Sequence, residues 1–368
     1  MISFIHIKNF KSLKNIYLKP SNLNLCFGMN GMGKSSLLQV FLLLRQSFFK
    51  GTLQENGLLL QGGNLVTIGR GKDAFCQNAG KDELMTIEVK DTNGAEFSWQ
   101  FRYESATDIL PLESLTSNAE LTQISLFAPQ FHYLSAEHLS PQTIYSKSEF
   151  EVTRHKNLGI KGEYVVHYLS HFGSTKISHP NLHHPNAFSD TLLHQTAAWL
   201  GDISPGTKIN VEDIKGVDLV RMGIQFETEE GYTNEFLPIN VGFGITYVLP
   251  LIVALLKAQP NDLILIENPE SHLHPKGQST VGRLMALAAQ NGVQILAESH
   301  SDHIINGVRV AVKDSLIDKD NVSVYYFNRK RSSHETKITH IQMDKFGELN
   351  HYPDGLLDEW NNLLMRLL

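Results

Sequence analysis

The chain has 368 residues, 42% hydrophobic and 19% charged, with a net charge of −6 and two cysteines, Cys26 and Cys76. This is a soluble globular composition. It is long enough for one large α/β body with insertions or two joined domains. It excludes a disulfide framework and an overall basic signature for nucleic acid. The longest apolar run, Val248 to Leu256, falls far short of the ~20 residues that cross a bilayer. The opening lacks the charged and apolar regions of a secretion signal, so a cytoplasmic protein without membrane association is expected.

Met1 to Lys11 alternates like a strand, with Ile2, Phe4, Ile5 and Ile7 apolar. The run Leu23-Asn-Leu-Cys-Phe27 predicts a buried strand, and Ser36 to Leu44 predicts a helix. Between them lies Gly28-Met-Asn-Gly-Met-Gly-Lys-Ser-Ser36, which matches G-x-x-x-x-G-K-[ST]. A glycine-rich loop between strand and helix can curl its N–H groups around phosphate oxygens while the helix presents its positive end to the same anion. Gly28, Asn30, Gly31, Gly33, Lys34, Ser35 and Ser36 are the candidate nucleotide-binding residues. Lys34 is expected on the β and γ phosphates, and Ser35 on Mg²⁺.

Residues 84–90 and 95–103 alternate around a turn at Asp91-Thr-Asn-Gly94, a hairpin pattern, so 57–103 is read as an antiparallel β subdomain. Residues 104–125 are polar and uneven, and are read as loop with a short helix. Phe131 to Ala136 reads as a core strand. A histidine-rich helical insertion follows over 150–201, and Leu219 to Leu237 reads as paired strands. His167 and His171, with His179, His183, His184 and His194, have spacing compatible with a transition metal, but no cysteine is near. A solvated or partner-facing insertion is the preferred reading. Asp262-Leu-Ile-Leu-Ile-Glu267 and Val293-Gln-Ile-Leu-Ala-Glu298 are apolar runs ending in acids, the pattern of parallel strands.

The segment "IKNFKSL" followed by "GMNGMGKSSLLQ" resembles the start of ABC-type ATPases of the SMC, RecF and OLD group. The resemblance continues through "YLSAEH", where His138 stands in place of the usual arginine, and into "VGFGIT", "LILIENPESHLHP" and "LAESHSD". It extends to the tail, with 320–368 resembling the C-terminal cap of stand-alone OLD-like ATPases. It implies an α/β P-loop NTPase fold with an ABC-ATPase-like mixed core sheet, a flanking antiparallel β subdomain and a helical insertion, all within one ATPase domain over 1–368.

By that resemblance Glu267 holds Mg²⁺ together with Ser35, and His300 contacts the γ-phosphate. Gly242 and Gly244 form the signature that binds ATP held by a second subunit, so a homodimer across ATP is implied. Small residues there let a helix N-terminus approach phosphate, and Pro250 is tolerable if it falls within the first helical turn. Asn268 occupies the slot where the family places a catalytic glutamate, and an amide has no useful basicity. Either Glu270 supplies that carboxylate or hydrolysis is slow. Gln130 is ranked ahead of Glu137 as the residue that senses Mg²⁺ and the attacking water.

The function implied is an ATPase subunit that senses or regulates in a bacterial anti-phage or DNA-processing assembly, with a separate nuclease or toxin as effector. DNA remains an open partner. A slow nucleotide-gated clamp and a RecF-like DNA repair ATPase are the alternatives. A membrane-transporter motor is disfavoured by the altered signature and the long separation of Lys34 from Glu267.

Overall fold

The computed structural model describes residues 1–80, 82–329 and 332–367. The chain divides into two compact units: Met1–Phe131 with Val322–Met343 and Leu349–Leu368, and His132–Asn321 with Asp344–Glu348.

The first unit opens with β1 (Ile2–Phe10), β2 (Leu13–Leu18) and β3 (Leu23–Phe27), then α1 (Lys34–Phe49), β4 (Gly57–Leu59), the single turn α2 (Gly71–Ala74), β5 (Met85–Asp91), β6 (Glu96–Phe101) and β7 (Ile109–Ser117). Six of these strands form an antiparallel sheet in the order β2-β1-β5-β6-β7-β4. Its inner face buries Ile5, Ile7, Ile87, Val89, Phe97, Trp99 and Phe101, alternate residues of each strand. The sheet therefore reaches beyond 57–103 and recruits the N-terminal hairpin.

Residues 109–117, expected as loop, are instead strand β7. The pairing of β6 with β7 slips between Gln100 and Phe101, so Leu112 faces Phe101 while Ser114 faces Gln100. The extra residue, Glu113, breaks the period of two and hides the strand in the sequence.

The second unit begins with β8 (Phe131–Leu134), β9 (Tyr145–Ser146), a π-helical turn at Phe150–Arg154, α3 (Val165–Phe172) and α4 (Leu192–Ile203). It continues through β10 (Thr207–Asp213), β11 (Leu219–Thr228), β12 (Gly231–Tyr232), α5 (Phe243–Lys257), β13 (Leu263–Glu267), α6 (Pro275–Gln290), β14 (Gln294–Glu298) and α7 (Asp302–Lys313). β13 and β14 run parallel in register, Glu267 opposite Glu298, and β8 lies on the other side of β13. All five residues of β14 and the first four of β13 are buried, which is why both read as continuous apolar runs.

Two histidines of the helical insertion are buried rather than solvated, while His171 and His183 are exposed. His167 is buried and accepts from the Ser148 N–H through Nδ1 at 3.1 Å. His184 is buried with Nε2 3.1 Å from Asp202. Among the described residues, no group of His, Cys, Asp and Glu is placed to hold a metal ion. These rings pack and hydrogen-bond within the unit.

Pro250 does not meet the condition of lying in the first helical turn. α5 starts at Phe243, so the proline lies in the helix interior rather than the first turn. A Cβ on Gly162 would come within 2.2 Å of the proline ring, so a glycine turn packs where the ring sits.

The chain then contributes to the first unit again with β15 (Val322–Arg329), β16 (Thr336–Ile341) and α8 (Glu359–Leu367). β15 pairs in parallel with β3, Tyr326 opposite Phe27, and antiparallel with β16. Residues 322–329 are thus core sheet rather than a peripheral cap. The architecture is the expected α/β fold, with a mixed sheet and an antiparallel one. No helix among the described residues is long and apolar enough to cross a membrane.

Candidate functional site: an anion loop and an acidic strand end

In the first unit, β3 is buried at all five positions and delivers the chain into the glycine loop. Two of the loop's three glycines are required by packing. Gly28 has φ +139, and a Cβ there would meet the Phe327 carbonyl oxygen of β15 at 2.2 Å. Gly33 has φ +100, and a Cβ would lie 2.5 Å from Thr336 Oγ1 of β16. The same Thr336 hydroxyl donates to the Met32 carbonyl at 2.8 Å and so fixes the loop from below.

Gly31 differs. It has φ +76 with nothing within 4 Å of its would-be Cβ, so the loop crest is open. Asn30 and Ser35 are exposed there, and Ser36 is half-buried.

Helix α1 has Gly33 as its N-cap residue, with no side-chain cap hydrogen bond and no acidic residue in its first turn. A helix N-terminus of this kind presents N–H groups and a positive dipole end, which is the chemistry of a phosphate cradle. Lys34 is buried, and its Nζ donates to the carbonyls of Gly28 at 2.7 Å and Met29 at 3.0 Å. The ammonium is thereby held inside the loop's curl.

The loop before β8 is held from α1. Arg45 donates to the carbonyls of Leu126 at 2.5 Å and Ala128 at 3.0 Å, and its guanidinium lies 4.2 Å from the Phe131 ring centre. Gln130 lies between those anchors, exposed. Glu137, the other candidate, is exposed and hydrogen-bonded to Lys161, which holds its carboxyl below the ordinary range.

In the second unit, Glu267 ends β13. Its Oε2 accepts from the Ala136 N–H at 3.0 Å, and the Tyr133 hydroxyl also bonds it. Burial pushes its carboxyl up, and those two hydrogen bonds act against the rise. His138 Nε2 lies 2.9 Å from the Glu267 carbonyl oxygen, and burial pushes this imidazole down, towards the neutral ring. The substitution that set His138 apart from the family pattern therefore supports the backbone of the acid itself.

Asn268 sits at φ 48, donates its N–H to the Glu298 carbonyl at 2.9 Å, and has its Oδ1 buried without a protein partner among the described residues. Asparagine tolerates this left-handed conformation better than a branched side chain does. Glu270, the expected substitute carboxylate, accepts from Ser299 Oγ at 2.8 Å and from the His300 N–H at 2.7 Å. The loop after β13 is thus tied to the end of β14, and the exposed His300 side chain is carried on that tie.

The two signature glycines have different roles. Gly242 is the N-cap residue of α5 with nothing within 4 Å of its would-be Cβ. Gly244 packs, since a Cβ there would meet the His272 carbonyl at 2.7 Å. His272, at φ 59, sets its ring 4.4 Å from that of Tyr247.

The structure thus groups Gly28 to Ser36 in one unit. In the other it links Glu270 with His300, and Gly244 with the loop that follows Glu270. Tyr133, Ser299, Thr336 and the Ala136 N–H were absent from the sequence reading. Each acts through a hydrogen bond whose partner is remote along the chain, which no local pattern shows.

Mg²⁺ takes oxygen ligands, commonly one or two protein side chains with phosphates and water filling the rest. An exposed Ser35 hydroxyl and a hydrogen-bonded carboxylate at Glu267 are donors of that kind.

Comparison with known proteins gives the family and the fold. Residues 23–306 match the family model described as "AAA domain, putative AbiEii toxin, Type IV TA system". Residues 317–367 match a second, "Protein of unknown function (DUF3696)". No curated protein matches. Among solved structures, the chain is similar to an Smc head bound to the C-terminal winged-helix domain of ScpA, with 13% identity and a TM-score of 0.56, covering 94% of this chain and 98% of that one. It is also similar to an Smc head with an extended coiled coil bound to the C-terminal domain of ScpA from Pyrococcus furiosus, with 11% identity, a TM-score of 0.51 and coverage of 100% and 99%. The chain has the fold of an SMC-head ATPase and belongs to the AAA-domain family whose model spans residues 23–306.

Proposed function

We propose that this protein binds and hydrolyses Mg·ATP and uses it to close a homodimer. The observation that supports this best is the uncapped α1 N-terminus beneath the open crest at Gly31, with Lys34 held inside the loop. The loop from Gly28 to Ser36 grips the phosphates, and Lys34 exchanges two carbonyl contacts for phosphate oxygens. Ser35 and Glu267 hold Mg²⁺, with Gln130 beside the attacking water. When bound, the ion neutralises developing phosphate charge.

His300 contacts the γ-phosphate, and the Ser299 and His300 bonds keep the Glu270 carboxylate oriented towards the reacting water. Gly242 at the head of α5, with Gly244 packed behind it, binds the nucleotide of the second subunit. Binding energy closes the dimer and hydrolysis releases it.

The family's description names a toxin system, and both solved Smc heads were determined with a bound ScpA domain. On that basis the ATPase cycle gates a separate effector protein in a cytoplasmic bacterial defence or DNA-processing complex. The test is phosphate release together with light scattering, with and without Mg·ATP. Turnover and ATP-dependent dimerisation that both disappear in Lys34→Ala support the reading. Dimerisation unchanged in that variant would count against it.

A second reading, a nucleotide-gated clamp that scarcely turns over, is favoured by Asn268, an amide where a base is needed. A robust phosphate-release rate excludes it.

A further inference from the structure

Helix α8 is described over nine residues, Glu359–Leu367, and all of its described side chains are exposed. Trp360, Leu363, Leu364 and Leu367 follow the i, i+3, i+4, i+7 pattern of one apolar face, with exposures of 71%, 46%, 42% and 82%. An isolated helix of this length is marginal in water, below the ~12–15 residues that even helix-favouring sequences need. A face that apolar gains its stability by being covered.

The charges on the helix identify the cover. Glu359 and Arg366 are separated by two turns, so they flank the stripe on the same side, acid at the N-terminus and base at the C-terminus. When two such helices pack antiparallel about a two-fold axis, residues on this flank face each other. Glu359 then meets the partner's Arg366, and Arg366 meets the partner's Glu359. The opposed helix dipoles also favour that direction. A parallel pair sets neither Glu359 nor Arg366 against the other and gains neither ion pair.

We infer that α8 is a self-association surface, on which a second copy of this chain docks its own α8 antiparallel, without nucleotide. The helix is only about 13 Å long, so the contact is smaller than a standard protein interface and by itself weak. Its effect is to hold two chains at high local concentration. This association is separate from the ATP-bridged dimer and does not rest on the ATPase reading.

The test uses the full chain in nucleotide-free buffer, measured by sedimentation equilibrium. Wild type is expected to show a concentration-dependent monomer–dimer equilibrium in the micromolar range, and Lys34→Ala to behave identically. Leu363→Glu/Leu364→Glu should be monomeric over the same range. Glu359→Arg and Arg366→Glu should each weaken dimerisation roughly tenfold, and the double reversal Glu359→Arg/Arg366→Glu should restore it.

A wild type that stays monomeric at several hundred micromolar overturns the inference, as does a leucine variant that dimerises normally. A double reversal as weak as either single change points to a foreign partner and overturns it too.

Discussion

The His300 backbone N–H donates to Glu270 Oε1 at 2.7 Å, so the loop that follows β13 is pinned to the loop that follows β14. With Ser299 Oγ on the other oxygen at 2.8 Å, the carboxylate is fixed in direction. Glu270→Gln keeps the shape and removes the charge. Turnover is expected to fall about 100- to 10,000-fold, the ordinary range for loss of a positioned acid–base group, with ATP affinity close to that of wild type. Single-turnover and equilibrium-binding measurements separate the two effects, and an unchanged rate would assign the base elsewhere.

His138 supports Glu267 through its carbonyl oxygen, 2.9 Å away. His138→Ala strands a buried acceptor, at a cost of about 1–3 kcal/mol. Urea unfolding should show that loss, and Mg²⁺-dependent nucleotide binding should weaken with it. An unchanged unfolding midpoint would mean that water replaces the ring without penalty.

The glycines of the phosphate loop should separate folding from binding. Gly28→Ala drives a Cβ against the Phe327 carbonyl and should destabilise the fold by well over the ~1–2 kcal/mol of left-handed strain alone. Gly31→Ala meets no neighbour, so it should cost about that strain and chiefly impair ATP binding. Thermal melts with and without Mg·ATP check the contrast. Equal melting points for the two variants would refute it.

Lys257 gives a pH signature. Its Nζ lies 2.9 Å from His132 Nε2 and 2.9 Å from the Lys156 carbonyl oxygen, with Asp262 and the Tyr168 ring also facing it. Burial pushes the amine down to about 7 from 10.5. Between those values the unfolded chain binds a proton that the folded chain does not, so stability rises with pH across that window. Asp262, whose carboxyl burial pushes up from the ordinary 3.8, acts towards acid pH. Chemical unfolding at pH 7 and pH 9.5 should show wild type gaining stability and Lys257→Met gaining less. Parallel behaviour of the two would contradict the assignment.

Much of this was legible because local chemistry dictates it. The strand from Leu23, the glycine loop and the start of α1 follow from a buried apolar run, a phosphate-binding pattern and a helical period. β13 and β14 are apolar because both faces are covered. What stayed hidden depends on partners distant along the chain. The bulge at Glu113 erased the period of β7. The place of β15 beside β3 rests on pairing across nearly 300 residues. No local rule shows that Gly244 serves packing while Gly242 stays open, or that His167 and His184 are buried. The exposed stripe of α8 was written in the sequence, but it looks like an ordinary core-facing helix until its surroundings are known.

The central claim is that the Lys34 loop and the Glu267 strand end serve one Mg·ATP. The most direct measurement is equilibrium binding of a fluorescent ATP analogue, with and without Mg²⁺, to wild type, Lys34→Ala and Glu267→Gln. The account predicts tight binding that Mg²⁺ strengthens in wild type, loss of binding in Lys34→Ala, and loss of the Mg²⁺ increment alone in Glu267→Gln. Wild-type affinity in Lys34→Ala, or an undiminished Mg²⁺ increment in Glu267→Gln, would contradict it.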